Sequence, residues 1–286
     1  MSAPKFTFAQ FRTRFPDEDA CLKYIFDLRY SDLEACPKCS CEAKFHQCKG
    51  ERYFACQDCG HHLHPTAGTI FHKSRTPLTS WLFAVLLFSN SKNGVSAKEL
   101  QRQLGVTYKT AFRMGHLIRS LMNEEGEITL SGIVEIDETL VGGKKKGGKR
   151  GWGSQKPCVF GMVERGGKIV TRVVPNRKGS TLLPIITANT TDDVEAHTDD
   201  FSGYNRLGRE VGAHHVVSHT KGQHVTGPNG EIHTQTIDGH WSIIKRSIKG
   251  THTSVSPEYL QAYLNEFSFR RNHRNERMFD AILGRV

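Results

Sequence analysis

Two Cys-x-x-Cys pairs, Cys36/Cys39 and Cys56/Cys59, stand sixteen residues apart in this chain. The surrounding stretch is rich in Cys and His, poor in long apolar runs, and too short to bury a core without help. Each pair brackets a two-residue knuckle, Pro37-Lys38 and Gln57-Asp58, so each can offer two corners of a tetrahedron. The spacing falls inside the window for a four-thiolate zinc site, and Zn²⁺ would supply the folding energy that the segment lacks. Cys41 and Cys48 have no knuckle partner and, with Cys21 and Cys158, are expected as free thiols. His61, His62 and His64 read as a solvated or phosphate-facing cluster, because four thiolates already close a structural site. Zinc ribbons serve DNA, RNA and protein contacts alike, so this module constrains fold more than function.

At 286 residues the chain has room for about two domains, and a net charge of +10 favours an anionic partner, nucleic acid or an anionic membrane surface. The longest apolar run, Trp81 to Phe88, is far short of the roughly 20 residues that span a bilayer and reads as a buried helix. No secretory signal pattern occupies the first residues, so a cytoplasmic protein with reduced thiols and no membrane partner is expected. The organisation expected is a helical lead-in over 1–31, a zinc ribbon over 32–75, a helix-turn-helix region over 76–128, a catalytic domain over 129–275 and a C-terminal tail over 276–286.

In the second of these helical modules, Ser96 can cap a helix containing Leu100 and Leu104, Gly105 supplies a turn, and a second helix starts near Thr107. Such a unit would present Thr107, Tyr108, Lys109, Thr110 and Arg113 to a DNA groove, with Lys98, Arg102 and Arg119 on phosphates. An ordinary helical hairpin with a basic solvated face produces much the same string.

Beyond Gly126 the apolar period shortens to two: strands over 132–141, 158–165 and 168–175 (the last two joined by Gly166-Gly167), a helix over 180–188, strands over 194–198 and 214–218, and a helix over 236–248. This is an α/β pattern, with Gly142 to Lys156 as a Gly- and Lys-rich loop. Asp137 alternates with Val134 and Ile136 on the first strand, projecting from what reads as the sheet's edge region. Asp199 ends the fourth strand, and Asp238 and Lys245 lie two turns apart on nearly one face of the last helix, with Gln235 nearby. Oxygen ligands of this kind suit Mg²⁺ or Mn²⁺, and paired ions serve in-line displacement at phosphorus. Singly, each acid also reads as a turn or helix-cap residue.

In this order the motifs resemble the zinc-ribbon, DDE-type ISXO2-like insertion-sequence transposases. The carriers are Cys36-Pro37-Lys38-Cys39 with Cys56-x-x-Cys59, Ala67-Gly68-Thr69-Ile70-Phe71-His72, Val134-Glu135-Ile136-Asp137-Glu138-Thr139 with Val141-Gly142-Gly143-Lys144, Thr198-Asp199 with Tyr204, His233 to Ser242 with Lys245-Arg246, and Asn265 to Arg274. The resemblance implies an RNase H-like mixed sheet with flanking helices, and an enzyme that nicks element ends and transfers the freed 3′-hydroxyl to target DNA. It maps the catalytic, magnesium-holding acids onto Asp137 and Asp199. The third acid falls at Asp238, where the family usually carries Glu; part of the family is described by an Asn at the position of Gln235. It further implies a DNA clamp of Lys144, Lys145, Lys146, Lys149 and Arg150, a second basic strip of Arg270, Arg271 and Arg274, double-stranded DNA as partner, at least a homodimer, and work at the bacterial nucleoid. A transposase-derived DNA-binding protein with a degenerate site, and an RNase H-like nuclease, are the other readings.

Overall fold

The structure is a computed structural model that describes residues 5–143, 149, 151–218 and 225–286. The chain divides into two compact units, residues 1–121 with 274–286, and residues 122–273.

In the first unit, α1 (Phe8–Arg14) opens on a capping box between Thr7 and Gln10, and α2 (Glu18–Tyr30) opens on Asp17, whose carboxylate accepts from the Ala20 N–H. The ribbon follows as a three-stranded antiparallel sheet, β1 (Phe45–Gln47), β2 (Phe54–Cys56) and β3 (His62–Leu63). Next comes α3 (Leu78–Asn90), which buries Trp81, Leu82, Val85 and Phe88 among others. Its N-cap is Pro77, which cannot cap by side chain; the Glu18 carboxylate instead accepts from the Leu78 and Thr79 N–H groups at 2.8 Å each. Helices α4 (Ala97–Leu104) and α5 (Tyr108–Leu121) are joined through Gly105 at φ +66°, a left-handed conformation that glycine adopts without penalty.

The second unit is built on β4 (Ile133–Leu140), β5 (Cys158–Glu164), β6 (Ile169–Val174), β7 (Glu195–Asp199) and β8 (Ala213–Val217), in the spatial order β6-β5-β4-β7-β8. The first three are antiparallel, whereas β7 and β8 run parallel to β4, giving the mixed sheet that the resemblance implied. Helix α6 (Gly179–Asn189) lies between β6 and β7 in the chain, and α7 (Gln235–Ser247) and α8 (Leu260–Asn272) follow β8. Alternation along the strands divides the core. Val134, Ile136, Phe160 and Met162 pack with Leu182 and Ile186 of α6 on one face, while Val159 and Val163 pack with Ile237, Trp241, Ile244, Leu264 and Phe267 of α7 and α8 on the other. Because β7 docks beside β4, Asp137 sits on the central strand and not towards a sheet edge as its sequence suggested.

The final residues form α9 (Met278–Leu283), which belongs to the first unit; Phe279 is fully buried there, its ring 4.8 Å from that of Phe6.

Candidate active site

Helix α7 runs along β4 as a ladder of side-chain bonds. Glu135 Oε2 accepts from the Thr236 N–H at 2.7 Å and the Ile237 N–H at 3.1 Å. Two residues on, Asp137 Oδ2 accepts from the indole N–H of Trp241 at 2.8 Å, and after two more, Thr139 Oγ1 accepts from Lys245 Nζ at 2.5 Å. Residues 135, 137 and 139 share a strand face because side chains alternate; 237, 241 and 245 share a helix face because four residues make about one turn. Gly161, opposite Asp137 on β5, makes the close approach possible: a Cβ there would stand 2.5 Å from the Trp241 ring.

The parallel pairing of β4 with β7 ends at Glu135–His197, and alternation puts Asp137 and Asp199, each two residues beyond that pair, on the same sheet face. Asp199 also accepts from the Phe201 N–H at 3.1 Å, which fixes its carboxylate at the strand end. Asp238 lies on the exposed side of the first turn of α7, with the Thr234 hydroxyl 3.5 Å from its Oδ2. Burial, then the negative charges of Glu138 and Asp238, and more weakly of Asp199, push Asp137 up to about 7, against the indole hydrogen bond, which favours the carboxylate. The three acids thus share one electrostatic neighbourhood, although their oxygens do not all lie within 4.8 Å of one another. That donor set, all oxygen, fits a hard divalent cation.

Behind the acids lies a buried polar scaffold that residue-by-residue reading of the sequence missed. Glu135 is fully buried, and its Oε1 accepts from Arg165 Nε at 2.7 Å and the Thr236 hydroxyl at 2.8 Å. Arg165 also donates to the backbone carbonyls of Glu231 and His233 and to His197 Nδ1 at 3.2 Å. His197, Glu195 and His215 gather ligand-type atoms within 4.8 Å. Arginine can only donate, however, so His197 Nδ1 is the acceptor and its Nε2 carries the proton given to Glu195 Oε1 at 2.8 Å. A metal at Nε2 would have to displace that proton, so the trio fits a hydrogen-bonded brace better than an ion. On the opposite sheet face, buried Glu138 takes the Tyr204 hydroxyl at 2.5 Å and pairs with Arg177 at 3.5 Å. Burial foremost, and the Asp199 charge, hold it above the usual carboxylate range.

In the ribbon, the Sγ atoms of Cys36 and Cys59 are 3.8 Å apart and those of Cys39 and Cys56 3.9 Å, with all four within 4.8 Å of one another. A tetrahedron of Zn–S bonds near 2.3 Å has edges of about 3.8 Å, so the four thiols fit zinc. Cys41 is exposed and, like Cys48, lies outside this cluster; His62 stacks on Tyr53 with ring centroids 4.0 Å apart.

Thr107, Tyr108, Lys109 and Arg113 are all exposed around the start of α5. Arg119, expected on a phosphate, is instead 2% exposed: it donates to the Val95 carbonyl at 2.9 Å, and its guanidinium lies over the Phe88 ring. Arg270 is committed to fully buried Glu266 at 2.7 Å with only 12% of its side chain exposed, and Arg271 is half-buried, so of that strip Arg274 is the exposed member. Lys149 is exposed, whereas Lys144, Lys145, Lys146 and Arg150 lie outside the described residues.

One chain thus combines a four-cysteine ribbon with a mixed five-stranded sheet that carries acids on two adjacent strands. Residues 129–272 match the ISXO2-like transposase domain, and residues 16–62 match the transposase zinc-ribbon domain. The chain is also 30% identical over 106 residues to an "Uncharacterized transposase-like protein" of Haemophilus influenzae, an alignment covering 37% of this chain and 82% of that protein. The chain belongs to the ISXO2-like transposase family.

Proposed function

We propose that the protein binds the terminal inverted repeats of its insertion sequence, cleaves DNA there and joins the freed 3′ ends to target DNA. The observation that supports this reading is that Asp137 and Asp199 lie on one face of adjacent parallel strands, with α7 bonded alongside through Trp241 and Lys245 and the charge of Asp238 felt at Asp137. Asp137, Asp199 and Asp238 would hold Mg²⁺ or Mn²⁺, which when bound supplies the positive charge that activates an attacking oxygen and steadies a leaving one. The chain's own residues do the positioning. Trp241 fixes the rotamer of Asp137, Glu135 anchors the start of α7, and Lys245, steadied by Thr139, offers a cation to a phosphate oxygen. In the other unit, Thr107, Tyr108, Lys109 and Arg113 read the groove at the head of a recognition helix, while the zinc held by Cys36, Cys39, Cys56 and Cys59 keeps the ribbon folded. Lys149 and Arg274, with Lys144, Lys145, Lys146 and Arg150 on sequence grounds, add phosphate contacts, and pairing two ends calls for at least a dimer in the cytoplasm.

The test is cleavage of a duplex bearing the repeats that flank the gene. Asp137→Ala and Asp199→Ala abolish Mg²⁺-dependent cleavage and leave end binding nearly intact; wild-type cleavage by either variant refutes the site. Asp238 is one methylene shorter than the family's usual Glu, which favours a second reading, a DNA-binding protein that no longer cuts. Asp238→Glu separates the two: cleavage that appears only with the longer side chain supports the second reading.

A further inference from the structure

Beside the acids, Arg177 is held between two aromatic rings, its guanidinium carbon 4.0 Å from the centroid of Trp152 and 4.1 Å from that of Phe201. The same guanidinium pairs with Glu138, the residue after Asp137, and the Glu138 carboxyl feels the charge of Asp199. The inner end of the stack is therefore anchored at Glu138, on the sheet face opposite Asp137 and within reach of the Asp199 charge. At its outer end Trp152 is 45% exposed. It sits in a single 3-10 turn, Gly151–Gly153, and the stem of exposed Lys149 passes 3.6 Å from where a Cβ of Gly153 would be, so that lysine belongs to the same turn.

A large aromatic ring left open to water, backed by a cation that cannot be deprotonated, is a rigid surface awaiting a second flat partner. The ring's inner face is taken by Arg177, so the partner must lie on the outer face. The stack reaches the proposed site through Phe201, whose N–H donates to Asp199 at 3.1 Å, and the turn that carries Trp152 also carries the stem of Lys149. The geometry points to Trp152 as a stacking platform for a nucleobase unpaired from the DNA beside the reacting phosphodiester, with Arg177 and Phe201 holding the platform flat. This rests on the reading of the site as DNA-processing. It adds a base-contacting residue that neither the acids nor the helix-turn-helix supplies. Stacking is tolerant of sequence, because every base has a π face, so the platform selects unpaired over paired DNA and not one base over another.

The chain has three tryptophans, and the other two, Trp81 and Trp241, are 0% and 3% exposed, so a stacked base quenches Trp152 fluorescence selectively. The experiment titrates the zinc-loaded full chain with a short single-stranded oligodeoxynucleotide, and with an abasic strand of the same length that keeps every phosphate and lacks the bases. The expected result is quenching by the first strand and none by the second. Trp152→Ala should weaken binding of the base-bearing strand by roughly 5- to 150-fold, the range that one stacked base is worth on alanine substitution. Trp152→Phe, which keeps a ring, should retain most of that affinity, and the abasic strand should bind all three proteins alike. Equal quenching by both strands overturns the platform, as does unchanged affinity in Trp152→Ala. Fluorescence that depends on protein concentration without DNA overturns it too, because the ring then covers a second copy of the chain. Cleavage of end DNA in Mg²⁺ is read in parallel. Base-dependent quenching without cleavage sinks the catalytic reading alone, and cleavage without base-dependent quenching sinks the platform alone.

Discussion

Glu135→Gln tests whether the carboxylate two residues before Asp137 fixes the position of α7. Glu135 is 0% exposed, and its two oxygens receive the Thr236 and Ile237 N–H groups, the Thr236 hydroxyl and Arg165 Nε. An amide keeps the size and removes both the charge and one acceptor. Whichever way it is turned, its NH₂ faces donors: the two backbone N–H groups, or the guanidinium and the hydroxyl. Breaking one side of a buried ion pair costs about 3–5 kcal/mol. Arg165 is 21% exposed and keeps its bonds to two carbonyls, which places the expected cost near the lower end, about 3 kcal/mol. For a unit of this size that lowers the melting temperature by roughly 6–12 °C. The more telling readout is catalytic. Loosening the first turn of α7 displaces Asp238 relative to Asp137, so single-turnover cleavage should slow by at least ~10-fold while affinity for end DNA stays put, since the helix proposed to read DNA is in the other unit. Glu135→Asp, which keeps the charge, should recover part of the rate. A melting temperature within about 1 °C of wild type together with an unaltered cleavage rate would refute the anchoring argument.

Three other perturbations isolate neighbouring parts. Gly161→Val drives a side chain into the Trp241 indole, and is expected to abolish cleavage and lower the melting temperature without changing zinc content, read by metal analysis beside the cleavage assay. Arg119→Ala should destabilise the first unit by about 2–3 kcal/mol, because a buried charge-assisted hydrogen bond is lost, yet leave the salt slope of DNA binding unchanged; Lys109→Ala should reduce that slope by about 1 with little effect on stability. His240 is 4% exposed, and burial foremost, then the charge of Arg271, lowers it to about 3 from an ordinary value near 6.5. The folded protein holds this ring neutral and the unfolded chain protonates it, so its contribution to stability is complete above about pH 6.5 and falls as the pH drops towards 3, by up to ~1.4 kcal/mol per unit. Urea unfolding at pH 7 and pH 5.5 should show a drop in wild type that is smaller in His240→Leu, the remainder coming from His116, His197 and His214, which burial lowers in the same direction; parallel losses in both would exclude His240 as a source.

How much of this could be read from the residues depends on whether the information is local. The strands around Asp137 and Asp199 and the helix of Asp238 and Lys245 follow from period and turn residues, which are properties of neighbouring positions. That β7 inserts beside β4, making β4 central, follows from a long-range parallel pairing with no short motif of its own. Glu135 illustrates an intermediate case. It stands two residues from Asp137, so alternation alone places both acids on one strand face, but its partners are some thirty and a hundred residues away. The placement of Arg119 is legible in the pattern: Ala111, Met114, Gly115 and Ile118 trace the buried stripe of α5, and Arg119 falls four residues after Gly115 on that stripe. Likewise Arg270 is four residues after Glu266, the spacing at which a helix pairs opposite charges. The number of basic residues marks a charged segment, whereas the helix face that each occupies takes Arg119 and Arg270 off the proposed DNA surface.

The ladder between α7 and β4 carries its own constraint on where chemistry can sit. Four helical residues advance about 6.0 Å, while two strand residues advance about 6.7 Å. Each rung therefore slips by about 0.7 Å, and two rungs accumulate roughly 1.4 Å. The first rung is made by backbone N–H groups on a fully buried carboxylate and tolerates no slip; the second is a rigid indole on Asp137; the third is the flexible stem of Lys245 reaching Thr139. Rigidity thus decreases along the helix in the order in which mismatch accumulates. The stiff part of the contact coincides with Asp137 and Asp238, where the proposed metal site would tolerate only about half an ångström of displacement, and the slack falls at a lysine that, on that proposal, can serve a phosphate from a range of positions. A helix placed in the reverse direction along β4 would put its best-fixed turn at Thr139 and its loosest beside Asp137, so the direction of α7, set by Glu135 at its first turn, is part of what makes the carboxylate site a defined one.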